Sequence, residues 1–344
     1  MAENNQQKIL QVRDLKTYFF TENGIVKAVD GVDFEVYQGE TLGLVGESGC
    51  GKSVTAFSIV KLLDYPGKTI QGQILFKGDD LLKKNEKQMR KIRGKEISMI
   101  FQEPMTSLNP VFTIGFQITE ALEVHYNMSK IKARERAIQL LEKVGIPIPD
   151  QRIDEYPHQL SGGMRQRTMI AMALACDPSL LIADEPTTSL DVTIQAQILE
   201  LIKSLLKQFN SSLIMITHDL GVIAEIADRI AVMYAGKIVE YADTRSIFYS
   251  PLHPYTFGLL TSIPRLDMEI EKLESIPGVV PDPLHFPEGC KFHPRCIFAT
   301  DKCRKEEPLL TEADNKHLVR CWHIEKVQQE VKRIAFRRRL STGE

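Results

Sequence analysis

The chain has 344 residues, 43% apolar and 26% charged, with a formal net charge of −2. That mix builds a globular core, and its near-neutral balance argues against a dedicated nucleic-acid binder, which would be strongly basic. No apolar run reaches the roughly 18–20 residues of a membrane span, and the start lacks the basic-then-apolar profile of a signal peptide; the expectation is a cytoplasmic protein that meets a membrane only through a partner.

In chain order, Val26 to Val36 and Gln73 to Phe76 alternate apolar and polar residues, the pattern of antiparallel strands. Thr41 to Val45 is a short apolar run that enters a glycine-rich loop. From about Lys83 to Leu160 helical patterns dominate, as in Ile131 to Val144, with prolines at 104, 110, 147, 149 and 157 between them. Two further apolar runs follow: Ser179 to Ala183 enters Asp184-Glu185, and Ser212 to Thr217 enters His218-Asp219. Short buried runs between helical stretches predict βαβ units and a parallel sheet, whose ligands bind beyond the carboxyl ends of the strands. All three polar clusters belong there, which predicts one shared site. After about Tyr241 prolines and glycines thicken, predicting an irregular C-terminal domain. Beyond Glu325 the chain turns basic and is expected to be a solvated, partly disordered tail.

Gly46-Glu-Ser-Gly-Cys-Gly-Lys52-Ser53 fits the phosphate-binding loop, with a strand before it and a helix after it. Glycine lets consecutive amides, from Gly46 through Ser48, Gly49, Cys50 and Gly51, turn toward phosphate oxygens. Lys52 can reach the β- and γ-phosphates, Ser53 can coordinate Mg²⁺, and the helix from Val54 adds its positive end. Asp184 is the matching Mg²⁺ carboxylate, and Glu185 is placed to orient or deprotonate water. Cys50, beside Lys52 and a helix N-terminus, is expected to have a lowered pKa and to alkylate unless ATP covers it. Leu160-Ser161-Gly162-Gly163 on its own reads first as a plain helix cap, though a small-residue turn at a helix N-terminus is also an anion site.

With that turn, the sequence resembles the ABC ATPase family, whose signature is Leu-Ser-Gly-Gly. Gln102, Ser189-Leu-Asp191 and His218 then stand in the family's order. The resemblance implies an α/β fold: a RecA-like parallel-sheet core, an antiparallel β subdomain and an inserted helical subdomain at about 83–160. It implies head-to-tail pairing, with the loop of one subunit facing Ser161 and Gly163 of another. Gln102 would touch Mg²⁺ and its water, His218 would contact the γ-phosphate and hold Glu185, and Asp191 would link the two sites. Phe19 is the expected adenine-stacking ring, with Tyr18 and Phe20 as rivals.

Gln102-Glu-Pro-Met-Thr-Ser-Leu-Asn-Pro110, Pro251-Leu-His-Pro-Tyr-Thr256 and Gly289-Cys-Lys-Phe-His-Pro-Arg-Cys296 resemble the dipeptide/oligopeptide importer branch. The domains expected are 1–240 for the ATPase, 241–324 for the C-terminal domain and 325–344 for the basic tail. Cys290, Cys296, Cys303 and Cys321 suggest by spacing only a four-cysteine metal site of unknown metal, with His293, His317 and His323 near enough to join a zinc site. The resemblance implies a 4Fe–4S cluster, with zinc as the alternative. It also implies a second ABC ATPase subunit (a paralogue or a second copy), two transmembrane permease subunits and, indirectly, an extracytoplasmic peptide-binding protein. The chain would then sit peripherally on the cytoplasmic face of the membrane. Nickel or another small solute is the alternative cargo. An ABC ATPase acting on nucleic acid is disfavoured by a single cassette without sustained heptads.

Overall fold

The computed structural model describes residues 7–102, 107–188, 191–262, 276–314 and 316–342, with side chains of the last helix described through Arg333. Two sheets organise them. Strands β1 (Lys8–Thr21), β2 (Gly24–Tyr37), β4 (Gly67–Phe76) and β5 (Asp79–Asp80) form an antiparallel sheet in the order β2-β1-β4-β5. The second sheet contains β3 (Thr41–Val45), β6 (Ile97–Ile100), β7 (Leu180–Asp184), β8 (Ser212–Thr217), β9 (Arg229–Tyr234), β10 (Lys237–Asp243), β11 (Thr311–Asp314) and β12 (His317–Val319). Its order is β11-β12-β10-β9-β3-β8-β7-β6; β9 through β6 run parallel, and β10, β12 and β11 add an antiparallel edge.

The parallel strands are mostly apolar, with polar residues mainly at their ends, because both of their faces are covered. Leu180, Ile182, Ile214 and Ile216 point to one core, shared with Leu10, Val12 and Leu15 of β1 and with Ile59 of the Lys52–Val60 helix. Leu181, Ala183, Leu213 and Met215 point to the other, shared with Ile118, Leu141, Met169 and Ile198. A slip of one residue would exchange the two sets, so the register is tightly specified.

Three expectations change. The stretch from about 83 to 160 is not helical throughout, because β6 lies inside it and pairs with β7 in the core sheet. Helices at Ile114–Tyr126 and Lys130–Lys143 follow it. Secondly, the C-terminal region is not a separate small body. It lends β11 and β12 to the sheet, and Tyr255 and Phe292 to the helical-side core. Thirdly, the basic tail is a helix, Ile324–Thr342, and its Val327 is fully buried.

Candidate functional site

Three strand ends make the site. Val45 lies opposite Thr217, and Asp184 opposite Ile216, so the phosphate loop, the Asp184-Glu185 pair and His218 emerge side by side at one edge. Ile100 pairs with Ala183, which delivers Gln102 to the same edge. Between them lies a cavity of about 570 Å³, lined by Gly46, Ser48, Gly49, Gly51, Lys52, Ser53, Val54, Gln102, Glu185 and His218, with Glu47, Ala28 and Leu259 also on its wall.

The loop conformation requires glycine at its two ends. Gly46 and Gly51 have φ of 154° and 104°, and an added Cβ would collide with the carbonyl oxygens of Met233 and Ala28 respectively. Lys52 is only 5% exposed, and its ammonium donates to the carbonyls of Gly46 (2.8 Å) and Glu47 (3.1 Å), which ties the loop across its own mouth. Ser53 donates to Asp184, whose carboxyl is pushed upward by burial despite that bond. The Oδ1 of Asp184 is buried without a hydrogen-bond partner among the described residues. A buried, unsatisfied carboxylate oxygen beside a serine hydroxyl is a donor set suited to a hard cation.

Glu185 takes φ of 46°, a left-handed conformation uncommon outside glycine. Its backbone N–H donates to the Ile216 carbonyl (2.9 Å), and the turn aims the carboxylate into the cavity. One oxygen accepts from Gln102 Nε2 (3.1 Å) and Thr188 Oγ1 (3.0 Å); the other lies 3.2 Å from His218 Nδ1. A carboxylate held at both oxygens beside a phosphate cradle is equipped to take a proton from water at fixed distance.

Ser161 is the N-cap of the Gly162–Ala173 helix, accepting from the Met164 amide at 3.3 Å. The turn is not on the wall of this chain's own cavity, and a Cβ at Gly162 would meet open space. Asp191 likewise caps the Val192–Phe209 helix through the Ile194 amide (3.0 Å). Its neighbours Ser189 and Leu190 lie outside the described residues, as do Glu103 to Thr106 of the 102–110 motif.

One expectation fails here. Cys50 is fully buried, and burial pushes its thiol up in spite of Lys52 nearby, so it is neither exposed nor activated. Phe19, the expected adenine-stacking ring, stands on β1 with its ring against Gly67. Its neighbour Tyr18 is tethered by donating to Asp30 Oδ1 at 2.7 Å. Sequence reasoning missed Thr188, Gln166 and Glu47. Gln166, from the signature helix, donates to the Pro186 carbonyl at 2.5 Å and so connects that helix to the Glu185 turn.

All six cysteines are free thiols. Cys290, Cys296, Cys303 and Cys321 line one small cavity of about 10 Å³ with His293, Trp322 and His323. Burial pushes the thiol of Cys290 up, that of Cys296 up to about 11 and that of Cys321 up to about 12. Among the described residues no three His, Cys, Asp or Glu side chains are gathered for one metal ion. The expected zinc co-ligands are engaged elsewhere: His317 Nε2 pairs with buried Glu240 (2.7 Å), His293 Nδ1 with the Cys290 carbonyl (3.0 Å) and His323 Nε2 with Thr300 Oγ1 (2.9 Å).

The cavity and its strand-end acids define a phosphate-loop ATPase of the ABC class. Residues 29–188 match the ABC transporter family model, and residues 239–303 match the oligopeptide/dipeptide transporter C-terminal region. The oligopeptide transport ATP-binding protein AppD of Bacillus subtilis is 57% identical over 92% of this chain and 97% of its own length. The dipeptide transport ATP-binding protein DppD of Escherichia coli is 54% identical over 88% and 92%. The ATP-binding cassette MJ0796, solved in a post-hydrolysis state with ADP and Pi, superposes with a TM-score of 0.62 at 27% identity, covering 69% of this chain and 99% of that one. The chain belongs to the ATP-binding subunits of oligopeptide/dipeptide ABC transporters, and it is an ATPase. No described helix is long and apolar enough to cross a membrane.

Proposed function

We propose that this chain hydrolyses ATP at the cytoplasmic face of a membrane to drive uptake of dipeptides or oligopeptides through an ABC importer. The observation that carries this reading is the pairing, in one chain, of a complete ATPase site with a matching peptide-transporter C-terminal region. The loop amides and Lys52 hold the phosphates. Ser53, Asp184 and Gln102 would hold Mg²⁺, which would supply positive charge against that developing on the transferred phosphoryl group. Glu185 takes a proton from the water that attacks the γ-phosphorus as the bond to the β–γ bridging oxygen breaks and ADP leaves. His218 fixes Glu185 and faces the γ-phosphate.

The signature turn, exposed and away from its own cavity, supports a head-to-tail partner, a paralogue or a second copy, whose loop faces Ser161 and Gly163, with Asp191 between the sites. Two permease subunits would carry the peptide, delivered by an extracytoplasmic binding protein. The four cysteines are proposed to hold a 4Fe–4S cluster. Four free thiols lining one void, Cys303 buried and the other three half-buried, supply its donor set. The tests are two. Uptake of labelled dipeptides and longer peptides should be lost with Lys52→Ala; unchanged uptake refutes the transport reading. Anaerobic purification should give about four irons per chain and a broad band near 400 nm, both lost in Cys290→Ser; zinc or no metal refutes the cluster.

A further inference from the structure

The phosphate loop is gripped from outside the ATPase motifs. Glu47, the second residue of the loop, is on the wall of the nucleotide cavity. A carboxylate there is unfavourable for a bound triphosphate, since like charges repel strongly in a partly dehydrated cleft. Arg295 meets it with a bidentate pair, Nη1 to Oε2 at 2.6 Å and Nη2 to Oε1 at 3.0 Å. The Arg295 side chain is 4% exposed, and its Nε is fixed by the Pro277 carbonyl at 2.9 Å. The Glu47 backbone is held as well: its N–H donates to the Tyr255 hydroxyl (2.8 Å), and its carbonyl accepts from Lys52 (3.1 Å). Arg295 and Tyr255 both come from the C-terminal region, and Arg295 stands next to Cys296.

We propose that Arg295 is a positioning residue for nucleotide binding, which cancels the charge of Glu47 at the phosphate cavity and pins the loop for ATP. The inference rests on the ATPase assignment of this loop. Arg295 touches no phosphate; it acts through Glu47. A fork matched to a carboxylate neutralises it with fixed geometry, which a mobile surface lysine would not do. Pinning the loop beforehand also lowers the ordering cost of binding.

The test is equilibrium binding of fluorescent ATP and ADP analogues, with Mg²⁺, to the full chain. Arg295→Ala should weaken ATP binding on the order of tenfold and ADP binding less, because one phosphate fewer faces Glu47. Adding Glu47→Gln to Arg295→Ala should restore most of the affinity, which a merely structural defect would not allow. Arg295→Met, which keeps much of the stem volume, carries the same test if the alanine variant does not fold. Unchanged ATP affinity without Arg295, or a loss that Glu47→Gln fails to repair, overturns the proposal. Lys52→Ala, measured alongside, separates failure of the loop's ATPase assignment from failure of the Arg295 role: it should abolish binding even where the Arg295 variants do not.

Discussion

His218 Nδ1 lies 3.2 Å from Glu185 Oε1, while the other oxygen of Glu185 is held by Gln102 and Thr188. The carboxylate therefore has almost no rotational freedom. A base held this way is fixed before substrate arrives, and the left-handed turn at Glu185 is the local strain that aims it.

Glu185→Gln keeps the shape of this group and one acceptor oxygen but cannot take a proton. It should slow hydrolysis by roughly 10²–10⁴-fold while leaving ATP binding intact. Phosphate release and analogue binding on the same preparation separate the two. Hydrolysis within about tenfold of wild type would place the base elsewhere.

Cys50 should be inert. Its sulfur is packed inside the loop, fully buried, and burial raises its pKa, so little thiolate forms at neutral pH. Native protein treated with a thiol reagent should leave Cys50 unmodified with or without ATP, and only urea should expose it. Rapid labelling of folded, nucleotide-free protein would restore the reading from the sequence.

The Cys50 reversal shows where the sequence stops being informative. Gly46 to Ser53, Asp184-Glu185 and His218 were legible because each is a short motif tied to the end of an apolar strand, and parallel strands bring their ends together. Whether a loop side chain faces inward or outward depends on packing partners far away in sequence, and for Cys50 the fold turns it inward. Arg295 and Glu47 are separated by 248 residues, and neither has a local pattern that names the other. β6 was missed because it is only four residues long and stands among helical stretches. The tail was misjudged because its basic composition outweighed Val327, the buried residue that docks the helix.

Asp30 on β2 is the second anchor of the C-terminal region, and it should matter for stability. Although burial works against its charge, donation from Tyr18 and the ammonium groups of Lys291 (3.0 Å) and Lys237 (3.4 Å) hold its carboxyl well below the usual range. A depressed folded pKa means that the unfolded chain binds the proton first. The stability it contributes is complete above the ordinary aspartate pKa and is lost as pH falls toward the folded value. Asp30→Asn should cost roughly 3 kcal/mol at pH 7, by leaving Lys291 without a carboxylate and Lys237 with Glu307 alone. In urea unfolding the gap between variant and wild type should narrow below about pH 4. An equal gap at both pH values would mean that packing, not charge, makes the anchor.

Gly163→Asp tests the head-to-tail arrangement without disturbing the chain that carries it. A Cβ at Gly163 meets only the Ile194 methyl at 3.7 Å, an ordinary contact, so the variant should fold. A carboxylate in the first turn of the Gly162–Ala173 helix is also favoured by the helix dipole. The turn lies off the wall of its own cavity, so the isolated variant should bind ATP as wild type does. In an assembled pair the new carboxylate would face the partner's γ-phosphate and repel it, and hydrolysis should fall on the order of 10²-fold or more, comparable to removing a key stabilising donor at a reacting group. Intact binding with lost turnover therefore requires the signature turn to act on a nucleotide held by another subunit. Normal turnover in the assembled transporter would mean that the turn serves only as the helix cap it forms within this chain.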